Sequence, residues 1–464
     1  MSSPTSSPRG LVVAALRGSS AKTMISLSLV TALRRRGLVL GACKKGPDFI
    51  DPGWLTAAGG RPCRNLDVFL MGETVVRETL VEAARDLDFM LVEGNRGLFD
   101  GLDGRGSYST AALAKLLGLP VLLVLDCTKC TGTIAALVRG CRAHDPELQL
   151  AGVILNKVAG KRHEAVLREA LGFIEAIPVL GVLPVLDQAL VGERYLGLHP
   201  AAEREDAAMF LDRLAEVGER YFELETMLSV ASPINLPPQL GSETFRSSAD
   251  PVRIGVVRDR AFHFYYPENL EQLEAGGAEL IFLDALTDKR LPELDTLYLG
   301  GGFPEVHAER LAANRDFLVE VREAAEAGLP IYAECGGAIF LGRSVLVEGR
   351  RHELCSVLDL DFQVFEKPRG HGYVEAVVDA PNPFFPMGMS LRGHEFHYSA
   401  AANIVHPTAY RLDRGQGFGA RRDAVVRYQV LASYTHLHAR ATQDWAACLL
   451  ERARNHRVER DGSS

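Results

Sequence analysis

Residues 11–35, LVVAALRGSSAKTMISLSLVTALRR, run from a buried-type strand (Leu11–Ala15) through a loop of small residues into a helix from Ala21 to Arg35 with apolar side chains at helical spacing. Short apolar runs then alternate with longer helical patterns: a strand at Phe89–Val92, a helix at Thr110–Leu117, and strands at Val121–Asp126 and Gly152–Leu155. Such alternation predicts a mainly parallel sheet covered by helices on both faces. Chemistry in such sheets gathers beyond the carboxyl ends of the strands.

The pattern breaks between Leu228 and Pro251, where SPINLPPQLGSETFRSSADP is rich in Ser and Pro and has no period. That composition reads as a linker. Alternation resumes with strands at Arg253–Arg258, Leu280–Asp284, Thr296–Leu299 and Ile331–Ala333. The expected organisation is two α/β domains, 8–228 and 251–455, joined by a linker over 229–250, with disordered tails. The halves share an architecture but no repeated motif.

Composition narrows the function classes. Of 464 residues, 47 % are apolar and 24 % charged, as in a globular protein. The net charge is −8, from 51 basic and 59 acidic side chains, and no region concentrates enough Lys and Arg to follow a nucleic acid backbone. Arg34-Arg35-Arg36 reads as the solvated last turn of a helix. The N-terminal MSSPTSSPRG does not look like a signal peptide, and no run is long enough to span a bilayer, so a cytoplasmic location is expected. Eight cysteines in a chain this long point to reduced thiols, and Cys127 and Cys130, with no second pair nearby, read as structural.

The loop Ala15-Leu16-Arg17-Gly18-Ser19-Ser20-Ala21-Lys22-Thr23 has the layout of a phosphate-binding loop, in which backbone N–H groups cradle phosphates, a lysine meets their oxygens and a hydroxyl faces Mg²⁺. Alanines stand at positions 15 and 21, where that motif carries glycine, and a plain strand–turn–helix with an exposed lysine fits the same residues. The following segments favour the nucleotide site. Lys44-Lys45-Gly46-Pro47-Asp48-Phe49-Ile50-Asp51-Pro52 packs cations and carboxylates around a turn, Glu93 ends a strand, and Gly97-Leu98-Phe99-Asp100-Gly101 follows. Any one of these acids could equally be a cap, but several at strand ends beside Lys22-Thr23 can share a hard cation with a hydroxyl and phosphates.

A second group lies in the other half. Tyr332-Ala333-Glu334-Cys335-Gly336-Gly337 puts a cysteine between a strand and a short helix (Ala338–Gly342), the layout of a nucleophile elbow. The helix start is expected to lower the thiol pKa. Gly300, Gly301 and Gly302 close another strand and can turn N–H groups toward an oxyanion. Ser433-Tyr434-Thr435-His436-Leu437-His438 supplies a base, with His436 and His438 as the two choices.

These segments resemble the cobyrinate a,c-diamide synthases. The likeness runs from about Gly10 to Leu450 through KKGPDFIDP (44–52), GRPCRNLD (60–67), EGNRGLFDG (93–101), LGGGFPE (299–305), AECGG (333–337), RGHEFHYS (392–399) and SYTHLH (433–438). The resemblance implies a P-loop, dethiobiotin-synthetase-like ATP domain followed by a class I glutamine amidotransferase domain. It implies ATP and Mg²⁺ as cofactors, glutamine as nitrogen donor and a corrin or related tetrapyrrole carboxylate as acceptor, with a homodimer allowed for.

Residue by residue, it makes Cys335 the nucleophile and His436 its base. Gly18, Ser20, Lys22, Thr23 and Lys44 would hold nucleotide; Thr23, Asp48 and Glu93 would surround the metal; Asp100, Gly301 and Gly302 would face substrate or intermediate. Lys44, Lys45, Arg61 and Arg64 are candidate cations for an acidic ring, or else solvated surface. Ala15, Ala21, Met24 and Leu55 depart from the family pattern. Rival readings keep the chemistry on hydrogenobyrinate or a (nickel-)sirohydrochlorin, or make the chain a nucleotide-binding regulator that does not turn over.

Overall fold

A computed structural model describes residues 7–174, 177–186, 193–194, 197–237 and 251–462. The chain forms two compact units, residues 1–240 and 241–464.

In the first unit the strands are β1 (Arg9–Ala15), β2 (Leu40–Lys45), β3 (Arg64–Leu66), β4 (Phe89–Glu93), β5 (Val121–Asp126), β6 (Leu150–Val158) and β7 (Val179–Pro184), in the sheet order 3-2-4-1-5-6-7. Every neighbouring pair along that path is parallel. Consequently β1 and β4, the strands that carry the small-residue loop and Glu93, lie side by side, with Val13 opposite Glu93. Helix α1 (Lys22–Arg35) starts as β1's loop ends, and its residues are buried from Met24 to Leu33. Leu27, Val30 and Leu33 pack with Trp54 and Leu55 of α2 (Ile50–Gly59) on one face of the sheet. Leu55 therefore fills core, one helical turn after Asp51.

The unit does not end at 228. A helix covers Leu224–Val230, and Ser232–Pro233, expected in the linker, instead pair antiparallel with Gly10 and Arg9 of β1. Ile234 then donates its N–H to Pro8 and packs its side chain over Gly10, so this short apolar end is claimed by the sheet. The rest of the expected linker from 238 to 250, and the tails at 1–6 and 463–464, lie outside the described residues.

In the second unit the first described strand starts at Val252. Strands β8 (Val252–Val257), β9 (Ala278–Leu283), β10 (Thr296–Leu299), β11 (Ile331–Glu334) and β12 (Val430–Ser433) form a parallel half in the order 9-8-10-11-12. Beyond β12 the sheet continues antiparallel through Arg422–Arg427, Thr408–Arg414, Gly370–Val378, Ser390–His397 and His436–Leu437. The sequence reading did not anticipate this extension. It is what brings His394 and His436 opposite each other. Among the described residues, no helix is long and apolar enough to cross a membrane.

Candidate functional site

In the first unit the loop after β1 is wound tightly, with Ser19 at φ 54° and Ala21 at φ 62°, both in the left-handed region that favours glycine. Each costs on the order of 1–2 kcal/mol, and the loop keeps them. Ser20 turns its hydroxyl back onto the Arg17 carbonyl at 3.0 Å, while Gly18 is exposed. Lys22 donates to the carbonyl of Arg96 at 2.8 Å. Its ammonium is pushed down to about 8 by burial, then by the neighbouring Lys44 charge.

Thr23 Oγ1 donates to Glu93 Oε1 at 2.8 Å, and the same oxygen accepts from Lys44 Nζ at 2.6 Å. Lys44 also donates to Asp51 at 2.5 Å. Glu93 and Lys44 are 0 % and 2 % exposed. Burial opposes the Lys44 charge, but Asp51, Glu93 and Asp48 outweigh it and hold the ammonium well above the ordinary lysine range. Asp48 accepts from the N–H groups of Ile50 and Asp51, and is pushed up by burial and by Asp51. Asn65 of the GRPCRNLD segment clamps this turn by donating to the carbonyls of Gly46 and Asp48, both at 2.8 Å. Asp100 accepts from Gly97 N at 2.9 Å.

In the second unit Cys335 follows β11 at φ 48°, with its N–H given to Ser433 at 2.7 Å. Holding a side chain there is strain of the kind found at functional turns. The next residue can only be small: a Cβ on Gly336 would stand 3.0 Å from Gly302 N. On the neighbouring strand end, a Cβ on Gly301 would stand 2.4 Å from His436 Cε1 and 3.3 Å from its Nε2. Cys335, Gly301, Gly302 and His436 are thus gathered at the carboxyl ends of adjacent strands.

Burial, and then Glu305, push the thiol well above its ordinary range, so the expected lowering is not what the structure produces. The helix after Cys335, Gly336–Leu341, has six residues, too short a run of aligned peptides to offset that burial. A proton acceptor is therefore required. His436 is 2 % exposed, stacked on His394 at 4.9 Å, with Nδ1 3.4 Å from Glu334 Oε2. His438 faces elsewhere: its Nδ1 accepts from Arg440 N at 3.1 Å and its Nε2 lies 3.6 Å from Glu268. Asp423 fixes the loop between them and β12, accepting from Tyr434 N, Thr435 N and Thr435 Oγ1.

Residues 11–191 match the CobQ/CobB/MinD/ParA nucleotide binding domain, and residues 253–444 match the CobB/CobQ-like glutamine amidotransferase domain. Similar full-length proteins named cobyrinate a,c-diamide synthase come from Magnetococcus marinus (41 % identity, 95 % of this chain and 96 % of that one), Syntrophotalea carbinolica (40 %, 93 % and 96 %) and Archaeoglobus fulgidus (38 %, 94 % and 95 %). The chain belongs to the cobyrinate a,c-diamide synthase family. It is an ATP-dependent, glutamine-hydrolysing ligase with a nucleotide-binding domain and a glutamine amidotransferase domain.

For this synthase-family chain, the structure brings Lys22, Thr23, Lys44, Asp48 and Glu93 into one cluster and sets Asp100 on the adjoining loop. Lys44 is neutralised inside that cluster, so of the four expected cleft cations it is not one offered to an anionic ring. Lys45 is partly buried and pushed down by that burial, whereas Arg61 is exposed. Two carboxylates were missed as site members by the reading of residues. Asp51 sits three positions after Asp48 at a helix start, which is the signal that could have paired them. Glu334 shares the side of its strand with Tyr332, but its contact with His436 crosses 102 residues of sequence.

Proposed function

We propose that the chain amidates the a- and c-acetate carboxylates of cobyrinate in cobalamin biosynthesis, taking nitrogen from glutamine and energy from ATP. The observation that carries this reading is the full-length likeness to relatives of that name, at 38–41 % identity over more than nine-tenths of the chain. The two clusters support it, because each half-reaction has residues suited to it.

In the second unit Cys335 Sγ attacks the glutamine carboxamide carbon while His436 takes the thiol proton and delivers it to departing ammonia. The oxyanion faces the amides of Gly301 and Gly302. Water then releases glutamate from the thioester. In the first unit a ring carboxylate oxygen attacks the γ-phosphorus of ATP and ADP departs, with Lys22 balancing phosphate charge. Ammonia adds to the acyl phosphate carbon and phosphate leaves. A carboxylate alone is a poor electrophile, which is why the anhydride comes first. In this reading Asp100 would face the reacting ring, and Gly18 and Ser20 would line the phosphate cradle.

Mg²⁺ fits the residues present. Glu93 Oε2 is buried with no hydrogen-bond partner, and Thr23 Oγ1 and Asp48 complete a set of hard oxygen donors. Among the described residues, no three His, Cys, Asp or Glu side chains enclose a metal alone, in keeping with an ion held largely by phosphates and water. Bound there, Mg²⁺ would spread the charge of the phosphate oxygens. A cytoplasmic location and a homodimer belong to the same reading.

The test is mass spectrometry of candidate rings after incubation with ATP, Mg²⁺ and glutamine. Cobyrinate gaining two carboxamides is expected. Gain only on hydrogenobyrinate or a sirohydrochlorin would move the substrate, and no ADP with any ring or donor would leave a non-turnover nucleotide-binding protein. The Cys335→Ala variant should lose at least about 10³-fold of glutamine-supported turnover and keep ammonium-supported turnover within about twofold.

A further inference from the structure

We infer that Glu334 is the positioning carboxylate of the thiol site, holding His436 by Nδ1 so that Nε2 is left as the proton-accepting edge. The inference rests on the reading of Cys335 and His436 given above. Glu334 is the last residue of β11 and is 1 % exposed. Its Oε1 accepts from Tyr332 Oη at 2.7 Å and from Leu437 N at 3.1 Å, which leaves Oε2 aimed at His436 Nδ1, 3.4 Å away.

Among the described residues no lysine or arginine pairs with this buried carboxylate, and the imidazole of His436 is its only ionisable partner of opposite sign. A carboxylate on Nδ1 selects the tautomer with its proton there and the lone pair on Nε2. Nε2 is the nitrogen that lies over Gly301. The 3.4 Å separation is of the loose kind that tightens when substrate is bound. Leu437 N ties the carboxylate to the residue after His436, so base and carboxylate move together.

The geometry also couples the two halves of the site covalently. Carboxylate and nucleophile are consecutive residues, so the strained turn that presents Cys335 simultaneously fixes the group that orients its base. Glu334 from β11 and His394 from the Ser390–His397 strand both face His436. Of these two only the glutamate can carry negative charge.

The experiment compares Glu334→Gln with wild type in the full chain, assayed with glutamine and separately with ammonium. Glu334→Gln should lower glutamine-supported kcat by about 100-fold, leave the glutamine KM within about threefold and leave ammonium-supported turnover intact. The acid limb of its glutaminase pH profile should move to lower pH, because the anion that favoured imidazolium is gone. A rate within threefold of wild type, or an unmoved acid limb, would overturn the inference.

If Glu334→Gln does not fold, Glu334→Asp decides: partial glutaminase activity with an unmoved acid limb supports the role, and equal loss with glutamine and ammonium overturns it. Cys335→Ala separates the two levels. Should that variant retain glutamine-supported turnover, the thiol reading itself fails. Should it be inactive while Glu334→Gln is unimpaired, only the role of Glu334 fails.

Discussion

The two clusters solve the problem of buried polarity in opposite ways. Around Glu93 the first unit cancels charge with charge: one ammonium sits among three carboxylates, and Thr23 shares an oxygen with it. Around Cys335 the second unit avoids formal charge at the reacting atom, keeping the thiol protonated by burial and holding one carboxylate behind its base. A phosphate site must exchange its internal counterion contacts for those of an incoming anion and metal. A thiol site needs only to lose one proton at the moment of attack. The first is therefore tuned by electrostatics and the second by shape.

The largest effect should come from breaking the charge-balanced cluster. Lys44→Met takes from Glu93 and Asp51 the one ammonium that bonds them both, and should destabilise the first unit by about 3–5 kcal/mol in urea denaturation. Adding Glu93→Gln to it should recover part of that loss.

Shape is probed by Gly301→Ala, whose methyl would collide with His436. A displaced base should cost about 100-fold in glutamine-supported kcat, with ammonium-supported turnover kept. Equal loss with both donors would mean the clash spreads beyond the thiol site.

Smaller still is Ala21→Gly, which relieves one left-handed residue and should stabilise the first unit by about 1 kcal/mol in the same denaturation. A loss of stability would show that the methyl of Ala21 packs more usefully than its backbone is strained. The finest contrast is in pH. A thiol with a raised pKa carries less thiolate at any given pH, so alkylation of Cys335 without glutamine should keep rising through pH 9 with no plateau. A plateau near neutrality, read on the Cys335 peptide, would restore the lowered pKa expected from the helix start.

Much of this was legible in the sequence, for identifiable reasons. Parallel strands such as Val121–Asp126 and Thr296–Leu299 are buried on both faces, so their continuous apolar runs mark them to the residue. The antiparallel extension was not, because strands such as Gly370–Val378 alternate buried with part-exposed positions and begin GHG, which reads as loop. Among the candidate site residues, Lys22 and Thr23 at a helix start, Glu93 at a strand end, Cys335 just beyond one and His436 in a short strand were singled out by type and place. Asp51 and Glu334 did not, since their roles come from distances to Lys44 and His436 that no spacing encodes. The thiol's state was misread because helix polarity is local in sequence while burial is not.

The pairing of Ser232–Pro233 with β1 decides where the protein can be cut. Gly10 is packed beneath Ile234 and beside Leu119, so a fragment stopped at 228 would leave that apolar seam open to water and to other fragments. Expression of the ATP-using half by itself should carry the chain through at least residue 237, and a shorter fragment is expected in the pellet.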